Sequence, residues 1–71
     1  MGLNETVSFN IRILRLKRRM SQEKLADLMG VNRNYVGMIE RGESSPTVSI
    51  LEKAAKALDV EPAELMREEK R

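Results

Sequence analysis

Cysteine, histidine and tryptophan are all absent from this 71-residue chain, and its aromatic side chains are a single Phe9 and a single Tyr35. Without thiols or imidazoles there can be no disulfide, no zinc or iron–sulfur site of the usual ligand chemistry, and no Cys- or His-based nucleophilic machinery. With so few aromatics, the core must be assembled from Leu, Ile, Val, Met and Ala. No apolar run approaches the ~18 residues of a membrane span. The polar stretch from Gly2 to Ser8 lacks the apolar block of a signal peptide. These absences predict a cytoplasmic protein with no membrane partner. A domain this small buries only about 60% of its unfolded surface. Such a core can hardly enclose a substrate pocket. The expectation is a binding protein rather than an enzyme, with no cofactor, metal or small-molecule ligand, and with a marginal core that favours oligomerisation.

Charge is present but unevenly placed. Residues 1–41 hold eight Lys/Arg against four Asp/Glu, a balance of +4, whereas residues 42–71 hold five against seven, a balance of −2. The basic first part points to an anionic partner on that side. Strand-like alternation is missing and helical periodicity dominates. Val7, Ile11 and Leu14 predict a first helix over about residues 6–18. Ser21 is a good N-cap for a second helix over about 22–29, with Leu25, Ala26 and Leu28 on its apolar side and Gly30 as a left-handed terminator. Asn32 caps a third helix over about 33–41, ended by Gly42. Thr47 caps a fourth over about 48–58, whose inward residues are Val48, Leu51, Ala54, Ala55 and Leu58. Pro62 opens a short fifth helix over about 62–69. The predicted fold is all-α, one five-helix domain spanning residues 1–71.

The informative block runs from Gln22 to Arg41. Two short helices are joined through Gly30-Val31-Asn32, and Ala26 supplies the small side chain that steeply crossing helices need. Val31, Val36 and Ile39 are spaced to bury the second of them against the first. Together these offsets describe a helix-turn-helix over about residues 22–41. On a wheel centred on Val36, Asn34, Met38 and Arg41 project to the far side, a long and polar set suited to a major groove. Arg33 lies in the first turn, where such helices present side chains to base edges. Arginine suits guanine O6 and N7, and Asn34 suits adenine N6 and N7. Gln22 opens a helix whose N-terminal amides favour a phosphate, and Arg41 and Ser44 follow at positions suited to further phosphates. Gly37 inside a helix costs ~1 kcal/mol against alanine. Either the helix backbone approaches DNA closely there or a partner atom occupies the space.

The motifs Ile11-Arg12-x-Leu14-Arg15, Ser21-Gln22-Glu23-Lys24-Leu25-Ala26, Val31-Asn32-Arg33-Asn34-Tyr35-Val36, Ile39-Glu40-Arg41-Gly42, Pro46-Thr47 and Ala55-x-x-Leu58 extend over most of the chain. Through them the sequence resembles the Cro/cI-type helix-turn-helix regulators with a lambda-repressor-like fold. Asn32 to Glu43 looks most like the small controller proteins of bacterial restriction–modification systems. The resemblance implies a homodimeric transcription regulator on a pseudo-palindromic operator in double-stranded DNA, with RNA polymerase a further candidate partner. An antitoxin or a phage-type repressor is the alternative. It also implies that Gln22 contacts a phosphate and that Arg15 and Glu40 form an internal ion pair linking the first and third helices. Dimerisation would use residues 47–69, with Ile50, Leu65 and Met66 in the interface. Tyr35 resembles a tyrosine placed against the DNA backbone, and equally suits a half-buried cap on the core. Arg19 stands where the family usually has glycine. The first helix carries a second apolar face, Phe9, Ile13 and Leu16, to be covered either by the fifth helix or by another molecule.

Overall fold

The computed structural model describes residues 2–68, which form five helices: α1 (Leu3–Lys17), α2 (Gln22–Met29), α3 (Arg33–Glu40), α4 (Val48–Leu58) and α5 (Pro62–Leu65). Among the described residues there is no strand, and no helix is long and apolar enough to cross a membrane. The core is aliphatic throughout. Val7 and Ile11 of α1, Leu25, Ala26 and Met29 of α2, Val36 and Ile39 of α3, Ala54, Ala55 and Leu58 of α4, and Leu65 of α5 meet in one cluster. Tyr35, Ile50, Leu51 and Val31 pack half-buried around it.

Helix starts follow the side-chain caps. Ser21 Oγ accepts from the Lys24 amide (2.9 Å), Asn32 Oδ1 from the Asn34 amide (2.7 Å) and Thr47 Oγ1 from the Ile50 amide (3.2 Å). Each satisfies one of the four amides left without an intrahelical partner at a helix start. The α1 start differs from expectation. The helix begins at Leu3, because Glu5 in the first turn accepts the Gly2 N–H (3.1 Å) and holds an extra turn in place.

Helix ends share one device. In each of α1 to α4 an amide bonds back five residues to a carbonyl: Met20 to Arg15, Val31 to Ala26, Glu43 to Met38 and Val60 to Ala55, at 2.8–3.1 Å. This closure needs a left-handed residue just before the donor. Gly30 (φ 72°) and Gly42 (φ 75°) supply it freely, while Arg19 (φ 53°) and Asp59 (φ 57°) supply it against the steric preference of a side chain.

Three predicted core or helix assignments need correction. Leu28 is 49% exposed and Val48 is 73% exposed. Met29 takes the inward place expected of Leu28, and α4 begins with Val48 outside the stripe set by Ala54, Ala55 and Leu58. The fifth helix stops at Leu65 rather than continuing toward 69, and residue 69 itself lies outside the described residues. Asn10, not anticipated as a structural residue, explains how this short helix is anchored. Its Nδ2 donates to the carbonyls of Leu65 (2.9 Å) and Arg67 (2.8 Å), tying the end of α5 to the middle of α1. The second apolar face of α1 is therefore covered only along one edge. Ile13 is half-buried beside Glu64 and Arg67, while Leu16 is 50% exposed.

Candidate DNA-reading surface

The site is built around one carboxylate. Glu40, at the end of α3, accepts from Arg15 Nε (2.7 Å to Oε2), from Arg15 Nη2 (2.9 Å to Oε1) and from Gln22 Nε2 (3.1 Å to Oε1). The third nitrogen of Arg15, Nη1, donates to the Met20 carbonyl at 2.8 Å. One guanidinium thus joins α1, the turn before α2, and α3. The side chains of Arg15 and Glu40 are only 10% and 4% exposed. The hydrogen bonds that Arg15 donates to Glu40 raise the Arg15 pKa above its ordinary value, against the opposing effect of burial. The ion pair implied by the resemblance is present, and it is a shielded one.

This frame presents the far side of α3 to solvent. Arg33, Asn34, Met38 and Arg41 are all exposed on that side. An open groove is lined by Gln22, Arg33, Asn34, Gly37, Met38, Arg41 and Glu43. Six of the eight residues predicted to touch DNA therefore share one surface. Tyr35 and Ser44 lie outside that lining and are half-buried, with Tyr35 packed against the core. Gln22 opens α2 as predicted, but one of its amide hydrogens is taken by Glu40.

Glu43 is the groove residue that the sequence did not reveal. It accepts from Arg41 Nε at 2.7 Å and from Nη2 at 3.3 Å. These hydrogen bonds lower the Glu43 pKa and raise that of Arg41. The signal was available as opposite charges flanking Gly42, but only the left-handed turn at that glycine brings them face to face.

The predicted dimer residues are not equivalent. Met66 is 41% exposed and Ile50 is half-buried, whereas Leu65 is 0% exposed. Leu65 is committed to its own core and has no surface to offer a partner, so its assignment to an interface is corrected.

Known proteins share this sequence pattern and fold. The helix-turn-helix family HTH_3 matches residues 11–65. The control protein C.SmaI of Serratia marcescens is 38% identical over 66 residues, 93% of this chain and 79% of that protein. The control protein C.BamHI of Bacillus amyloliquefaciens is 44% identical over 57 residues, 79% of this chain and 70% of that one. The crystal structure of the restriction–modification controller protein C.AhdI from Aeromonas hydrophila matches with a TM-score of 0.84 and 42% identity, covering 87% of this chain and 94% of that one. The buried Arg15–Glu40 frame, the exposed far side of α3 and these matches lead to one conclusion: the chain belongs to the Cro/cI-type helix-turn-helix family of DNA-binding transcription regulators.

Proposed function

We propose that the chain acts as a homodimer on a pseudo-palindromic operator and controls a restriction–modification system. The observation that carries this reading is the exposed face of α3, with Arg33 and Asn34 in its first turn, held by the shielded Arg15–Glu40–Gln22 frame. Arg33 reads guanine and Asn34 adenine, while Met38 offers an apolar contact to a thymine methyl. The N-terminus of α2, with Gln22, binds a phosphate, and Ser44 and the outer edge of Tyr35 follow the backbone beyond it. The described residues extend 30 × 23 × 19 Å. Two such subunits side by side match half-sites about one helical turn, ~34 Å, apart.

Residues 1–71 serve as one domain, with DNA reading in 22–41 and dimerisation in 47–69 through Ile50 and Met66. Binding, without catalysis or cofactor, is the whole activity, in the cytoplasm, with RNA polymerase as the partner through which bound dimers act. The test is footprinting on the DNA upstream of its own gene, repeated across salt concentrations. Protection should span two half-sites. The logarithm of affinity should fall with the logarithm of salt by about 0.9 per neutralised phosphate. A flat salt response overturns the duplex-binding reading.

A further inference from the structure

Gly37 lies in the middle of α3, a place where glycine weakens a helix. A Cβ at that position would stand 3.0 Å from Arg41 Nη1, 3.8 Å from Arg41 Cζ and 3.7 Å from Gln22 Oε1. The Arg41 guanidinium therefore lies across the glycine. Helical side chains lean toward the N-terminus, so a long one covers the residue a turn before it. Arg33, Gly37 and Arg41 are spaced four apart and form one stripe along α3 and its C-cap, with the glycine as the gap between two arginines.

The guanidinium is also oriented. Glu43 engages its side edge, Nε at 2.7 Å and Nη2 at 3.3 Å. The end-on edge, Nη1 with the second hydrogen of Nη2, is left over Gly37 in the groove that Arg33 and Asn34 share. We propose that Arg41 reads a base edge in the major groove rather than a phosphate, with Glu43 as its positioning residue and Gly37 as the space it requires. The proposal rests on the operator-binding reading above and deepens it. The reason is charge. A phosphate on Arg41 would stand close to the Glu43 carboxylate and be repelled by it. A guanine edge offers O6 and N7, two acceptors without net charge that match an end-on fork. The Arg41–Glu43 pair is neutral as a unit, so it adds discrimination while adding little to general attraction for DNA.

The experiment uses the full chain, a duplex enriched from a random library by the unmodified protein, and a mixed-sequence duplex for reference, titrated at several salt concentrations. Arg41→Lys keeps the charge and removes the fork. The ratio of specific to mixed-sequence affinity should fall about tenfold or more, with the loss confined to one base pair per half-site and the salt slope unchanged. Glu43→Gln should lower the same ratio while binding to the mixed duplex strengthens. Gly37→Ala should retain or raise the melting temperature and lose preference at the same base pair. If Arg41→Lys keeps the ratio, and Arg41→Ala weakens both duplexes equally with a slope shallower by about 0.9, Arg41 is a phosphate contact and the proposal is overturned. Enrichment of no sequence by the unmodified protein would overturn the operator reading itself, a result distinct from an intact preference that ignores Arg41.

Discussion

Glu40 accepts three hydrogen bonds in a place where water scarcely reaches, and this makes it the residue most sensitive to the loss of a partner. Arg15→Leu leaves that carboxylate shielded with only Gln22 beside it, and breaking a buried pair from one side costs ~3–5 kcal/mol. DNA affinity should fall as well, through misplacement of α3 rather than a lost contact. Arg15→Leu combined with Glu40→Leu removes the orphaned charge and should recover part of the stability. Thermal melts of both singles and the double close the cycle. A coupling within ~0.3 kcal/mol of zero would show that the two do not interact. Arg33 lies at the other extreme, exposed in the first turn of α3. Arg33→Ala should leave the melt nearly unchanged and remove ~1–3 kcal/mol of discrimination between specific and mixed duplex. Competition binding measures it, and undiminished discrimination would assign base reading to other side chains.

At the scale of elements, the four longer helices close with the same five-residue back-bond, and they differ in what holds the left-handed position. Arg19 carries φ 53° between α1 and α2, where the resemblance calls for glycine. A non-glycine residue there costs roughly 1–2 kcal/mol. Glycine relieves that strain but loses part of the gain to the greater freedom of the unfolded chain. Arg19→Gly should raise the melting temperature by a few degrees, since ~1 kcal/mol corresponds to ~4–8 °C in a domain of this size. A lower melting temperature would mean that the Arg19 side chain contributes packing or charge that outweighs its backbone strain.

For the whole molecule, the division between core and exposed surface runs through the last described turn. Leu65 is sealed in the core, while Met66, the next residue, is 41% exposed. Leu65→Ala should therefore act on folding, at the ~2–5 kcal/mol of a buried leucine truncation. Met66→Asp should leave the melt of the subunit intact and shift sedimentation toward monomer, weakening operator binding in proportion. If Met66→Asp remains a tight dimer, the interface lies elsewhere, and the exposed Leu16 side of α1 is then the surface to alter next.

Local chemistry was enough to place most elements. Ser21, Asn32 and Thr47 carry their own cap acceptors, and Gly30 and Gly42 tolerate the closing turn, so α2, α3 and α4 were legible within a residue of their ends. The period of α3 likewise separated Val36 and Ile39, inside, from Asn34, Met38 and Arg41, outside, because both sets repeat at helical spacing along one short segment. Residues far apart in the chain were a different matter. Asn10 shows no role along the chain until α5 ends against it and supplies carbonyls, and Leu65 suits either an interface or a cover for α1 until α1 and α4 close around it. Gly37 kept two explanations at the level of sequence, and only the return of the chain at Gly42, which brings Glu43 onto Arg41, filled the space beside it. Periodicity and capping act over one turn of helix and can be read along the chain. The partners of Asn10, Leu65 and Arg41 depend on where other backbone segments arrive, and that is decided by packing.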